Sequence, residues 1–314
     1  MKPRILILVG PTGVGKTALS LQIAMELHDV EIISADSRQV YKLMDIGTAK
    51  PTPEQRAMVP HHFIDIKYPN EYYSAGQFGR EARRKIDELQ LQGKRPLVVG
   101  GSGLYIQALV DGFFEKEIFD PQVKARLKNL IAEAGLAVLY EKLERVDPNY
   151  AQKIHPNDGH RIVRALEVYE LTGEPFSTFQ EQKRLPADFE PILVGLTMER
   201  TQLYQRIDAR VEHMLAQGLI DEVHRLQQQG YGSQLNSLQT VGYREVFDYL
   251  DQKIGYDEMV SWIKQHSRNY AKRQMTWFRK DCRIKWFELS AMDSCDRCQE
   301  EIVSEILRIW SIPD

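Results

Sequence analysis

Lys16 and Thr17 close the octapeptide Gly10-Pro11-Thr12-Gly13-Val14-Gly15-Lys16-Thr17, which has the spacing G-x-x-x-x-G-K-[ST] of a phosphate-binding loop. Glycines at those positions let the backbone curl until its N–H groups point at an anion. Lys16 adds a point charge for phosphate oxygens, and the Thr17 hydroxyl suits a magnesium ion. A phosphate or diphosphate is the ligand this stretch is built for. A carboxylate follows in Ser34-Ala35-Asp36-Ser37-Arg38-Gln39, just past an apolar run at 30–33. In open α/β sheets ligands collect at the carboxyl ends of strands, so Asp36 falls near the cradle. It serves there either as a catalytic group or as the cap of the next segment.

Three further groups have chemistry to offer. Arg206 and Arg210 are four residues apart and share a helix face; they repel unless an anion lies between them or Asp208 and Glu212 neutralise them. Gly100-Gly101-Ser102-Gly103 is either a tight turn or a place where a ligand lies against bare backbone. Between Lys264 and Lys285 stand eight Lys or Arg and one acid, Asp281, with Tyr270 and Trp277 interleaved and Trp262 just before. A basic stripe carrying aromatics suits a nucleic-acid backbone, although many such stripes are solvated faces.

These residues need a frame. Ile5-Leu6-Ile7-Leu8-Val9 reads as a buried parallel strand, and 18–27 as a helix with Leu19, Ile23 and Leu27 on one face. Further strands are expected at 30–33, 96–99, 191–196 and 284–287. The stretch 41–53 reads as an ordered loop and 74–92 as a helix burying Phe78, Ala82, Ile86 and either Leu89 or Leu91. A long helical stretch follows residue 196, 239–245 is a short polar turn with one aromatic, and 256–281 is a single helix. Helical periodicity alone fills the middle, with starts at Asp120-Pro121 and Asn157-Asp158. The expected fold is α/β: a P-loop NTPase-like core with a parallel sheet flanked by helices over 1–112 and 191–314, plus an inserted helical domain at 113–190.

Composition narrows the class. The 314 residues are 43% hydrophobic and 27% charged, the balance of a soluble globular protein, and no apolar run approaches the length of a membrane span. The first strand begins at once, which leaves no room for a signal peptide. Cys282, Cys295 and Cys298 are too few for a disulfide framework, so a cytoplasmic setting is expected. The lone pair Cys295 and Cys298 lacks the partners of a zinc site and reads as incidental thiols. A net charge of −3 excludes nucleic-acid affinity spread over the whole surface but not a local patch.

The loop at 10–17 and the stretches Ser34 to Tyr41, Met44-Asp45-Ile46-Gly47-Thr48-Ala49-Lys50-Pro51 and Val99 to Tyr105 occur in this order. With His155-Pro156-Asn157-Asp158, Arg164-Ala165-Leu166-Glu167, Val241-Gly242-Tyr243-Arg244 and Ala271-Lys272-Arg273-Gln274, they make the chain resemble the bacterial tRNA dimethylallyltransferases over nearly its whole length. The resemblance implies transfer of a dimethylallyl group from dimethylallyl diphosphate to the exocyclic amine of the adenine just 3′ of the anticodon, in tRNAs reading codons that begin with U. It implies that the loop Gly10 to Thr17 holds the diphosphate, with Lys16 and Arg210 on its charge and Mg²⁺ on Thr17. It makes Asp36 the general base. The tRNA contacts it implies are Asp36-Ser37-Arg38-Gln39, Ser102, Lys124, His160-Arg161-Ile162-Val163-Arg164 and Gln239-Thr240-Val241-Gly242-Tyr243-Arg244. Ser102 stands where Thr is frequent and Lys124 where Arg is frequent, which keeps hydroxyl and charge but not the bidentate geometry. A flipped adenine, an anticodon stem-loop clamped by the helical insertion, no membrane and a monomeric chain complete the expectation. A small-molecule P-loop kinase, a free-adenylate prenyltransferase and a non-catalytic RNA-binding protein are the rival readings; the first accounts for Lys16, Thr17 and Asp36 but not for the basic helix.

Overall fold

The computed structural model describes residues 2–113, 118–181, 185–289 and 296–311. Strand β1 (Arg4–Val9) leads through the glycine loop into helix α1 (Lys16–Leu27), and β2 (Val30–Ser34) into a long loop, helix α2 (Pro53–Met58) and the two-residue strand β3 (His61–His62). Helix α3 (Ala75–Leu91), strand β4 (Arg95–Gly100) and helix α4 (Gly103–Val110) follow. A run of helices comes next: α5 (Pro121–Ala134), α6 (Leu136–Val146), α7 (Pro148–Ala151), α8 (Gly159–Thr172) and α9 (Phe176–Glu181). Strand β5 (Glu190–Met198) then precedes α10 (Arg200–Ala216), α11 (Leu219–Gln228), α12 (Tyr243–Leu250), α13 (Tyr256–Phe278), β6 (Lys285–Leu289) and α14 (Asp296–Ser311).

The strands form one sheet in the order β3-β2-β4-β1-β5-β6, parallel at every pairing. A parallel sheet needs crossovers, and these lay helices on both faces, so the central strands are apolar throughout. Successive residues of β1 serve opposite cores. Ile5, Ile7 and Val9 join Ile86 of α3, Leu109 of α4 and Ile263 of α13; Leu6 and Leu8 join Ile23 of α1, Leu203 of α10 and Ile306 of α14. The carboxyl ends of β1, β2 and β4 lie side by side, which brings the loops after Val9, Ser34 and Gly100 to one edge.

The amphipathic helices follow their periodicity. Ser74 caps α3 by accepting from Gln77 N at 3.0 Å, and the helix buries Phe78, Ala82, Ile86 and Leu89, while Leu91 is 89% exposed. Four details depart from the sequence expectation. Helix α2 and strand β3 lie where no periodic pattern announces them, because α2 buries none of its residues. The long helical stretch breaks at Gly218, whose left-handed backbone (φ 95°) turns the chain from α10 into α11. The expected polar turn holds over 239–242 but stops short of 245, because Tyr243, wholly buried, already opens α12. Helix α13 ends at Phe278, three residues short of the reading.

The chain divides into two compact units, Met1–Val110 with Ala187–Asp314, and Asp111–Pro186. The second has a core of its own, in which Leu127, Leu143, Ile162, Leu166 and Phe176 pack together. Among the described residues no helix is long and apolar enough to cross a membrane, and no cluster of three or more His, Cys, Asp or Glu stands ready for a metal ion. Cys282 is a free, exposed thiol; Cys295 and the side chain of Cys298 lie outside the described residues.

Candidate active site

The glycine loop leaves the carboxyl end of β1 and enters α1 through Gly15, whose φ of 112° is closed to most side chains. At its other end Gly10 packs so tightly that a Cβ there would sit 2.7 Å from the Leu196 carbonyl oxygen. Between them Lys16 folds back, and its Nζ donates to the carbonyls of Gly10 at 2.9 Å and Pro11 at 2.8 Å. Burial pulls its pKa down to about 8, opposed by the carboxylate of Asp36 and reinforced by the guanidinium of Arg210. Thr17 is exposed at the first turn of α1 and opens on the same cleft.

Asp36 caps a turn and also lines the cleft. Its Oδ1 accepts from the backbone N–H of Arg38 at 2.8 Å and, more weakly, of Gln39 at 3.4 Å, which closes a turn after β2. Among the described residues Oδ2 takes no hydrogen bond, and the carboxylate faces the cleft. Arg210 is carried toward it by α10; burial lowers the guanidinium's pKa and Asp36 opposes that shift. Arg206 lines the same cleft one turn away. Their two acidic neighbours are engaged elsewhere: Asp208 holds Arg268 at 2.7 Å through both oxygens, and Glu212 pairs with Lys264. Neither arginine is neutralised by these acids of its own helix, and the carboxylate that faces Arg210 across the cleft is Asp36.

Two cavities meet here. One, of about 290 Å³, is floored by the phosphate loop, Arg206 and Gln274. The other runs between α10, α13 and the loop at 239–242, with Arg38, Thr240 and Gly242 beside an apolar wall of Ile207, Val211 and Ile263. Thr12, Asp36, Thr48, Arg210 and Tyr270 line both. Asp36 thus stands at a seam with a cationic phosphate cradle on one side and a partly apolar slot on the other. Tyr270 closes the seam, its phenol pushed up to about 12 by burial and so protonated at neutral pH.

Ser37, Arg38, Gln39 and Ser102 shape this edge. Ser102 Oγ accepts from Ser37 N at 2.9 Å, tying the loop after β4 to the loop after β2. Arg38 donates to the Asn236 carbonyl at 2.8 Å, and the Gln39 amide to those of Thr48 and Ala49. In the later stretch Gln239 and Arg244 are exposed, Arg244 bonding Glu245 at 2.9 Å, whereas Thr240, Val241 and Gly242 line the slot. The Tyr243 hydroxyl is buried and donates to Glu222, so it presents nothing to a surface ligand.

In the helical unit, His160 and Arg161 are exposed at the first turn of α8, while Ile162 and Val163 belong to the core. Arg164 is spent internally, on the Ile118 carbonyl at 2.6 Å and Glu167 at 2.7 Å. Lys124 is half-buried beside the Phe119 ring, and burial lowers its pKa. The basic stripe divides: on α13 Lys264 and Arg268 are in ion pairs, Arg273 lies over the Tyr270 ring and Lys272 is exposed, and just past its end Arg279 and Lys280 are exposed.

Sequence reasoning gave no role to Gln274. Its Oε1 accepts from Thr12 N at 2.8 Å and its Nε2 donates to the Gly101 carbonyl at 2.9 Å, so one buried amide joins the phosphate loop to the loop after β4. The signal was the close approach implied by Gly101, where a Cβ would come within 2.3 Å of that amide.

A family model described as IPP transferase matches residues 39–281. The chain is 48% identical over 307 residues to the tRNA dimethylallyltransferase of Carboxydothermus hydrogenoformans, covering 97% of this chain and 98% of that one. It is 46% identical over 291 residues to the enzyme of the same name from Geobacillus thermodenitrificans, covering 92% of each. Among solved structures it is similar to the full-length tRNA isopentenylpyrophosphate transferase from Bacillus halodurans, with a TM-score of 0.72, 40% identity and coverage of 99% and 97%. A eukaryotic dimethylallyltransferase acting on tRNA gives a TM-score of 0.81 at 27% identity, covering 99% of this chain and 80% of that one.

Proposed function

The chain belongs to the IPP transferase family, and from that membership we propose its reaction. It is a tRNA-modifying prenyltransferase that moves the dimethylallyl group of dimethylallyl diphosphate to the exocyclic amine of the adenine 3′-adjacent to the anticodon, in tRNAs reading codons that begin with U. The product is isopentenyladenosine. The observation that carries this reading is the seam: a carboxylate stands where a phosphate cradle and a second, partly apolar slot meet. A kinase of small molecules accounts for the cradle and for Asp36 but leaves the slot behind Arg38 and Thr240 without a use.

The diphosphate lies in the cradle, against the N-terminus of α1, Lys16, Arg206 and Arg210. As the bond from carbon to the diphosphate oxygen breaks, its electron pair leaves with the diphosphate, and these fixed cations stabilise the growing charge. The residues also fit Mg²⁺: Thr17 offers one hydroxyl at the open mouth, and a magnesium ion takes few protein ligands and several substrate and water oxygens. Bound there, it would neutralise diphosphate charge. The adenine leaves the anticodon stack and enters the slot, since its amine is unreachable while stacked. As nitrogen bonds to carbon the amine becomes acidic, and Asp36 accepts its proton while Oδ1 stays tied to the turn. Tyr270, half-buried and protonated, lines the seam between the two substrates. All these residues belong to one chain, which supports a monomer as the working unit, and a tRNA acceptor supports a cytoplasmic setting.

Incubation with labelled dimethylallyl diphosphate and unmodified tRNA, alongside labelled ATP with small alcohols and free AMP with the prenyl donor, tests the assignment. Label in the tRNA adenine is the expected outcome. Phosphoryl transfer from ATP, or prenylation of AMP but not tRNA, overturns it.

A further inference from the structure

Helix α11 contributes no residue to either cavity, yet one of its side chains holds both sides of the second. Glu222 is only 4% exposed, and its carboxylate is surrounded by donors. Oε2 accepts from Asp45 N at 2.9 Å and Ile46 N at 2.8 Å; Oε1 accepts from Gly47 N at 3.1 Å and the Tyr243 hydroxyl at 2.6 Å. Three successive backbone N–H groups converging on one anion form a nest. A carboxylate, which only accepts, is the side chain that can satisfy all four donors.

Those donors belong to two separate segments. Gly47 and Thr48, next to the nest, line the slot on one side; Thr240, Val241 and Gly242, directly before Tyr243, line it on the other. The segments also touch: a Cβ at Gly47 would come within 2.4 Å of the Tyr243 ring. Gln39 holds the far end of the first segment through the Thr48 and Ala49 carbonyls and Lys50 ties Asp45 to Tyr41, while the nest is what joins that segment to Tyr243 and so to Gly242.

We propose that Glu222 is a positioning residue for the acceptor: by pinning both walls to one carboxylate it fixes the width of the slot that receives the base. This rests on the reading that the slot takes the adenine and the cradle takes the diphosphate. Glu222→Gln supplies one accepting oxygen and an amino group, and cannot serve four donors. The walls then separate by losing at least one charge-assisted bond, and KM for tRNA should rise about 10-fold. KM for dimethylallyl diphosphate and kcat at saturating tRNA, per titrated active site, should stay within about twofold. Tyr243→Phe removes a single bond, leaves the carboxylate its three N–H donors, and should raise KM for tRNA about threefold. Because that hydroxyl is buried, the effect cannot come from direct contact with RNA. The double variant should raise KM by less than the product of the two single effects.

A general packing role would lower the melting temperature and the active fraction without moving KM for tRNA. That result in both single variants, or in Tyr243→Phe alone where Glu222→Gln does not fold, overturns the proposal. A rise in KM for the diphosphate with KM for tRNA unchanged would instead reverse the assignment of the two cavities.

Discussion

Asp36 caps the turn after β2 and, in the proposed reaction, also serves as the base; one substitution separates the roles. In Asp36→Asn the amide oxygen still receives Arg38 N, so the turn after β2 persists, but the proton acceptor is gone. Single-turnover transfer with both substrates saturating should fall by about 10²-fold or more, with tRNA affinity little changed; a near-normal rate would leave Asp36 as a cap only. Lys16 gives a pH signature. Its pKa of about 8 means that the free enzyme loses this charge as pH rises through 8, well before an ordinary lysine would. kcat/KM for the donor should therefore decline above about pH 8, and Lys16→Ala should remove that limb while lowering turnover. A profile flat to pH 10 would sink the assignment. At this scale the sequence was most legible where chemistry is local: Lys16, Thr17 and Asp36 stand out by spacing from a glycine loop or a strand end. Gln274 and Glu222 did not, since Gln274 meets Thr12 across 262 positions and Glu222 meets Gly47 across 175. A glutamine or glutamate on an ordinary helix carries no sign of the partner it will find.

Helix α13 shows why a charge run is not yet a surface. The sequence counts its cations equally, whereas the fold divides them. Arg268 holds both oxygens of Asp208 and Lys264 holds Glu212, so neither is available to a phosphate without losing an ion pair. Lys272 and Lys280 are exposed. Their replacement by Gln should weaken tRNA binding and reduce the log–log salt slope by up to about one unit per lost phosphate contact, while Arg268→Gln should leave the slope nearly unchanged. Equal slopes for all three variants would reduce the stripe to a solvated face. The same contrast between pattern and context explains the other elements. Helices α3 and α8 were legible because one face of each is apolar and each begins at a capping residue. Helix α2 buries nothing and so has no periodicity to read. The start of α12 was hidden because Tyr243, which looks like an exposed aromatic in a polar turn, is drawn inside by its bond to Glu222.

At the level of the molecule, apolar runs and glycine loops made the parallel α/β core legible, and the absence of strands between 113 and 190 marked the helical insertion. The strand order was not legible: nothing in β5 says that it pairs with β1, because every central strand is equally apolar. That order has a function, since it sets the loop after β4 beside the phosphate loop and leaves Gln274 to join them. The joining side chain comes from α13, the helix whose other residues form the cationic face. In the proposed reaction the surface of this helix meets the RNA while its buried amide lines the donor's cradle, so the two binding free energies are not independent. Coupling of this kind is reciprocal: an unreactive anticodon stem-loop should change donor affinity by the same factor as the donor changes affinity for that RNA. Gln274→Leu should bring both factors toward one, as two parallel titrations would reveal, and a wild-type donor affinity indifferent to RNA would show that the amide only braces the cradle. If the factors move together, the enzyme gathers its two substrates cooperatively, through one buried amide on the helix that carries the cationic face.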